Sequence, residues 1–338
     1  MSQILKEPDS EILTKLLPCS VLCTEPVEEY SQIVAQANVF NCGGIVISIC
    51  LLHKLMDATS MSCFLTFWAS INKGSSFDSS FCNDIVCSNY KLVSSLFPQT
   101  NSSSFDHSSV QQAFSKCEKK RHFKRVVFKS KAISDLKAKS KSKDVPNPTS
   151  VEVLSGFIWK CIWEAASAPS ILTHAVNLRK RITVEPSLRE VCVGNIFWVI
   201  VAHYLAEEEK QVEVSELVSL LRHSFAEING DYIQGSGDIV KLMKERKKLL
   251  CEAPKLCIFT SWRNIGFNEV DFGWGKPIWV ATAGDSNVTK DNIVVLLDAI
   301  SGDGVEVWIL LDEEEMKLLE QNPEFLEFAL LNPVIPLP

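Results

Sequence analysis

The 338-residue sequence lacks the features that would mark a membrane-spanning, secreted, metal-binding or nucleic-acid-binding protein. No stretch is long and apolar enough to cross a bilayer; the best runs, Ile45 to Leu52 and Ile196 to Ala206, read as buried segments. The first twenty residues carry Lys6, Glu7, Asp9 and Glu11 and no continuous apolar stretch, so no secretory signal is visible and a cytoplasmic location is expected. Twelve cysteines are present, but none stands in a Cys-x-x-Cys pair and no pair of pairs has zinc spacing. They read as buried, reduced thiols acting as small hydrophobes. Positive charge is short: the net charge of -7 argues against nucleic acid as a partner, which needs a basic surface. No solenoid period and no regular βαβ rhythm occur, which favours a mixed α/β (α+β) fold over a doubly wound sheet.

What is there is a mixture of strands and helices. Ile33 to Phe40 and Ile45 to Leu52 are rich in β-branched residues and flank Asn41-Cys42-Gly43-Gly44, the pattern of two strands around a turn. Ala58 to Ile71 follows with Met61, Leu65 and Trp68 at helical spacing. Asn72 to Ser109 is rich in Ser and Asn without a period and reads as a long connection. Beyond it, Arg121 to Lys129 is a strand, Lys137 to Lys143 an exposed loop, and Ser150 to Ala165 a helix capped by Thr149 or Ser150. Strands are expected at Thr173 to Ile182, Leu256 to Trp262, Ile278 to Ala281, Ile293 to Ile300 and Val305 to Leu311, and Ile196 to Tyr204 reads as a strand or equally as the start of a helix. Helices are expected at Val214 to Ile228, Ile239 to Leu250 and Asp312 to Leu319.

Two short motifs carry the candidate chemistry. His53-Lys54-Leu55-Met56-Asp57 places a histidine at a strand-to-helix junction. One His-x-x-x-Asp arises easily by chance, and a satisfied histidine at a strand end is the plain reading. The functional one is a general base: an imidazole's ordinary pKa of about 6.5 leaves it mostly neutral near pH 7. Asp57 can share a helical face with His53, or, if a turn intervenes, hold an arginine instead. Asp271-Phe272-Gly273-Trp274-Gly275 alternates glycine with aromatics, the makings of a kinked, closely approached backbone. There Asp271 would hold an arginine or backbone donors. Thr260 and Trp262, at a strand end, offer donors of the kind that stabilise an oxyanion, or simply a packed indole. Arg179 and Arg181 would share one face of a strand, facing a phosphate or a carboxylate, or lying solvated. Lys116 to Lys143 holds twelve Lys or Arg against Glu118 and Asp135, a solvated surface or an attraction for a phosphate-bearing ligand.

Taken together, HKLMD at 53–57 and DFGWG at 271–275 resemble the two signatures of the BAHD family of plant acyl-CoA-dependent acyltransferases. Further strings resemble the family as well: Gln36 to Phe40, Cys42-Gly43-Gly44, Phe67-Trp68-Ala69, Thr149 to Lys160, Asn177 to Arg181, Gly194-Asn195 and Thr260-Ser261-Trp262. The pattern is closest to the alkaloid- and alcohol-acetylating branch. The resemblance implies a two-domain, chloramphenicol acetyltransferase-like architecture with an interdomain channel, the first domain incomplete here because His53 stands so near the start. The expected division is a first domain over 1–84, a crossover loop over 85–106 and a second domain over 107–338. The resemblance further implies transfer of an acyl group, acetyl by first choice, from acyl-CoA to a hydroxyl of a small plant metabolite, by a monomer and without a metal, nucleic acid or membrane. His53 is the implied base. Asp57 and Arg179 would pair in support, Thr260 or Trp262 would hold the oxyanion, and Asp271, Gly273, Trp274 and Gly275 would support the channel. The alternative is a shortened, non-catalytic paralogue that binds CoA or a partner without turnover.

Overall fold

A computed structural model describes residues 1–19, 31–74, 120–166, 171–181, 193–204, 212–228, 256–284 and 289–335. Two short helices, α1 (Ser2–Lys6) and α2 (Ser10–Thr14), precede the hairpin of β1 (Ile33–Val39) and β2 (Ile45–Leu51), and α3 (Ala58–Asn72) follows it. Then come β3 (Arg121–Phe128), α4 (Ser130–Lys139), α5 (Ser150–Ala166), β4 (Ile171–Asn177), β5 (Phe197–His203) and α6 (Val214–Ala226). The chain continues through β6 (Leu256–Ser261), β7 (Asn292–Asp298), β8 (Val305–Asp312), α7 (Glu313–Gln321), α8 (Pro323–Phe328) and β9 (Ala329–Leu331). Among the described residues no helix is long and apolar enough to cross a membrane.

The hairpin pairs antiparallel from Ile33 opposite Leu51 to Val39 opposite Ile45. The other strands form one seven-stranded sheet in the order β5-β4-β6-β7-β8-β3-β9. Its centre is parallel, β4 with β6 and β6 with β7, and its flanks are antiparallel. Period-2 alternation sends Val294 and Leu296 of β7 to one face and Val295 and Leu297 to the other. The first face meets α4 to α8 through a large cluster that includes Phe157, Trp159, Leu221 and Phe325. The second is covered by Leu13 of α2 and by Trp262, Trp279 and Val280. A third cluster joins Ile49 of β2 and Leu65, Trp68 and Ala69 of α3 to Phe267, Val270 and Phe272. Trp262 belongs to both the second and the third, so one indole ties the hairpin-and-helix unit to the sheet.

The hairpin, α3, β3, α5, β5 to β8, α6 and α7 stand where expected, within a residue or two at their ends. At α5 the reciprocal cap is complete: Thr149 Oγ1 accepts from the Glu152 amide at 3.3 Å, and Glu152 accepts from the Thr149 amide at 2.7 Å. Four expectations are corrected. Among the described cysteines Cys161 and Cys257 are buried as expected, whereas Cys19, Cys42 and Cys63 are exposed. Lys137 and Lys139 end helix α4 instead of lying in a loop, because Ile133 and Leu136 bury one of its faces and leave the lysines on the other. β4 stops at Asn177, since the chain turns there with the Arg181 amide donating to the Leu178 carbonyl at 2.8 Å; Arg179 and Arg181 are therefore not strand neighbours. Ile278 to Ala281 is no strand; Trp279, Val280 and Ala281 pack as cover on the second sheet face while Ile278 stays exposed. The expected helix at 239–250, the long connection beyond Gly74 and the domain boundaries at 84–107 lie outside the described residues.

His174 of β4 gives the core a pH limit. Its ring packs against Phe225 at 5.2 Å and Phe259 at 6.2 Å, and Nδ1 bonds the Ala175 carbonyl at 2.8 Å. Nε2 is buried without a partner, and burial pushes the imidazole pKa down to about 4. The unfolded chain takes up this proton near pH 6.5 and the folded one only near pH 4. The stability held above pH 6.5 is therefore lost as pH falls through that window, by about 3 kcal/mol in all. Urea unfolding from pH 7 to 4 should show this slope in the wild type and a shallower one in His174→Gln.

Candidate active site at the exit of β2

β2 ends at Leu51 and a turn over 53–55 precedes α3, so His53 and Asp57 do not share a helical face. The His53 side chain is exposed. Its backbone carbonyl accepts from Asn195 Nδ2 at 2.6 Å, and its ring meets Phe197 edge-on at 6.0 Å. Both partners stand at the start of β5, which fixes the histidine against the large sheet and leaves the imidazole open to solvent.

Asp57 is committed elsewhere. It caps α3 by accepting from the Ser60 amide at 2.9 Å, and accepts from the Ile196 amide at 3.0 Å. Arg179 meets it with two parallel bonds, Nη1 to Oδ2 at 2.7 Å and Nη2 to Oδ1 at 3.1 Å. Both side chains are buried. Burial on its own would raise the carboxyl pKa; hydrogen bonding and charge from Arg179, with the two amides, outweigh it and hold Asp57 below its ordinary 3.8. Arg179 Nη2 also donates to Ser60 Oγ at 2.8 Å, and that hydroxyl donates to the Gly194 carbonyl at 3.0 Å. Of the two partners left open for Asp57 by the sequence, the structure brings in the arginine. Arg181 points away, onto the carbonyls of Phe225 and Ile228 at the end of α6.

The second motif folds around its own aspartate. Asp271 Oδ1 accepts from the amides of Gly273 at 2.8 Å and Gly275 at 3.0 Å. Both glycines have positive φ, +101° and +109°, a backbone that side-chain-bearing residues rarely adopt. Oδ2 takes Lys73 Nζ at 2.7 Å, a lysine from the end of α3 and not an arginine. Lys73 and the two amides lower the Asp271 pKa to about 2. Phe272 turns inward onto Trp68 at 5.0 Å, while Trp274 is 60% exposed. Thr260 is half-buried at the end of β6; Trp262 packs with Phe267 at 5.8 Å and shares a cluster with Ile49 of β2.

Sequence reasoning gave no role to Ser60, Asn195 or Lys73. Ser60 had a signal in its place three residues after a helix-capping aspartate. Asn195 and Lys73 act across more than a hundred residues of chain, where no local pattern points to a partner. Among the described residues no group of three or more His, Cys, Asp or Glu is placed to hold a metal ion.

Removing Arg179 would leave a buried, unpaired carboxylate. Arg179→Met is expected to cost about 3–5 kcal/mol of stability in urea unfolding, with Arg179→Lys losing less.

The model of the Transferase family matches residues 1–326. Akuammiline synthase 2 of Alstonia scholaris is 34% identical over 355 residues, covering 99% of this chain and 76% of that protein. A limonoid 7-O-acetyltransferase of Citrus sinensis is 34% identical over 323 residues, covering 88% of this chain and 67% of its own. The crystal structure of vinorine synthase superposes with a TM-score of 0.77 at 27% identity, covering 99% of this chain and 76% of that one. The chain therefore belongs to the Transferase family, the BAHD acyl-CoA-dependent acyltransferases, and is an acyltransferase in class.

Proposed function

We propose that this acyltransferase moves an acyl group, acetyl by first choice, from acyl-CoA to a hydroxyl of a plant secondary metabolite such as an alkaloid or a polycyclic alcohol, with His53 as general base. The observation that carries this reading is the division of labour within 53–57. Asp57 is spent on Arg179 and two amides, whereas the His53 imidazole is open to solvent and its backbone is held by Asn195. A carboxylate so engaged fixes the loop; a solvent-facing imidazole is free to accept a proton. The names of the relatives, an akuammiline synthase and a limonoid 7-O-acetyltransferase, support acetyl transfer onto oxygen of a large polycyclic acceptor.

In the proposed reaction the acceptor O–H gives its proton to His53 as the oxygen attacks the thioester carbonyl. The tetrahedral oxyanion is met by a donor near Thr260 or Trp262. It collapses with cleavage of the C–S bond, and the imidazolium returns its proton to the departing CoA sulfur. The ester and free CoA thiol are the products, and no covalent acyl-enzyme forms.

Incubation of the purified chain with acetyl-CoA and a panel of alkaloid and triterpenoid alcohols should release CoA thiol. His53→Ala should slow that release by about 10²–10⁴-fold, the usual worth of a general base. Unchanged turnover in the variant would remove His53 from the mechanism. CoA binding in calorimetry without any release would favour the non-catalytic binder instead.

A further inference from the structure

The segment that carries the second motif runs alongside α3 for most of the helix. Ser62 Oγ donates to the Ile265 carbonyl. Leu65 and Ala69 then bury with Phe267 and Val270. Trp68 takes the edge of Phe272, Asn72 Nδ2 donates to the Phe272 carbonyl at 2.7 Å, and Lys73 Nζ closes on Asp271 at 2.7 Å. The contacts span 62 to 73 on the helix and 265 to 272 on the segment. At its other end the same helix begins at Asp57, locked to Arg179, four residues after His53. Fifteen residues of helix span about 22 Å, and an α-helix that long transmits a tilt at one end to the other.

We propose that α3 is the element through which the DFGWG loop sets the placement of His53, and that Asn72 and Lys73 are positioning residues for acyl transfer. This rests on the reading of His53 as the base. The Lys73–Asp271 pair is exposed, with side chains 52% and 26% accessible, and such a pair adds little to global stability. Its effect is on geometry. The two anchors of Asn72 and Lys73 hold the trailing end of α3 to a loop whose shape Asp271 fixes from within. Releasing them lets the helix tilt about its middle, where Ser62, Leu65 and Trp68 still hold it, and the leading end moves the opposite way. A misplacement of about 1 Å at a reacting group can cost up to about 100-fold in rate.

The test is the double variant Asn72→Ala/Lys73→Met beside Lys73→Arg alone, read by CoA release, thermal melting and hydrogen exchange. The double variant should lower kcat by about 10- to 100-fold with KM for acetyl-CoA little changed and the melting temperature close to wild type. Its amides of Asp57, Ser60 and Met61, which bond the Gly194 carbonyl, Asp57 Oδ1 and the Asp57 carbonyl, should exchange faster. Lys73→Arg should keep wild-type kcat and exchange. Faster exchange confined to 68–73, with 57–61 as in the wild type, would overturn the proposal, because only local fraying would remain. A wild-type chain that releases no CoA while 57–61 still respond would instead sink the acyl-transfer reading and leave the coupling standing.

Discussion

The buried Asp57–Arg179 pair is the constraint on which the rest of the site depends. A charged pair inside a protein gains little over a well-packed apolar pair, because both ions lose their water. What it gives here is placement. One carboxylate begins α3, accepts from the amide that opens β5 and meets the guanidinium beyond β4. Three pieces of chain distant in sequence thereby share a single point, and His53 hangs from the same short turn. The lowered carboxyl pKa is a consequence of this arrangement, since every donor around Asp57 favours its charged form.

The second motif solves a different problem with the same side-chain type. Asp271 is not buried among strands; it gathers the amides of two glycines and so prescribes the loop's curvature from within. With that shape set, Phe272 faces α3 and Trp274 faces solvent. One aspartate joins elements and the other folds a loop, and the contrast follows from their neighbours: β-branched and capping residues around the first, glycines around the second.

Much of this was readable in the sequence. β-branched runs around Gly43-Gly44 located the hairpin, helical spacing located α3 and α5, and strand composition located β6 to β8, because each element buries one face against a large core. Thr149 and Glu152 announced their reciprocal cap three residues apart. What the sequence left ambiguous turned on distance along the chain. Lys137 and Lys139 disguised a helix whose burial depends on just Ile133 and Leu136. The β4 end was overrun because Leu178 and Ile182 continue an apolar pattern that the turn to Arg179 interrupts. In the site, the partner of Asp57 remained open between two possibilities until a contact across 122 residues decided it. Of the arginine or backbone donors expected at Asp271 the backbone donors are there, whereas Lys73 joins them across 198 residues, and nothing next to Lys73 foretells it.

The direction of the three central strands has a consequence for change in this molecule. β4, β6 and β7 run parallel, so their carboxyl ends open onto the same rim. From that rim come Arg179, Trp262 and Asp298, the last accepting from Arg263 and from the Asn264 amide. One residue inserted after Asn177 would shift Arg179, and one after Ser261 would shift Trp262, by up to about 3.6 Å along an extended backbone. The carboxyl rim is therefore where a single inserted residue separates Arg179 or Trp262 from its partners across the fold.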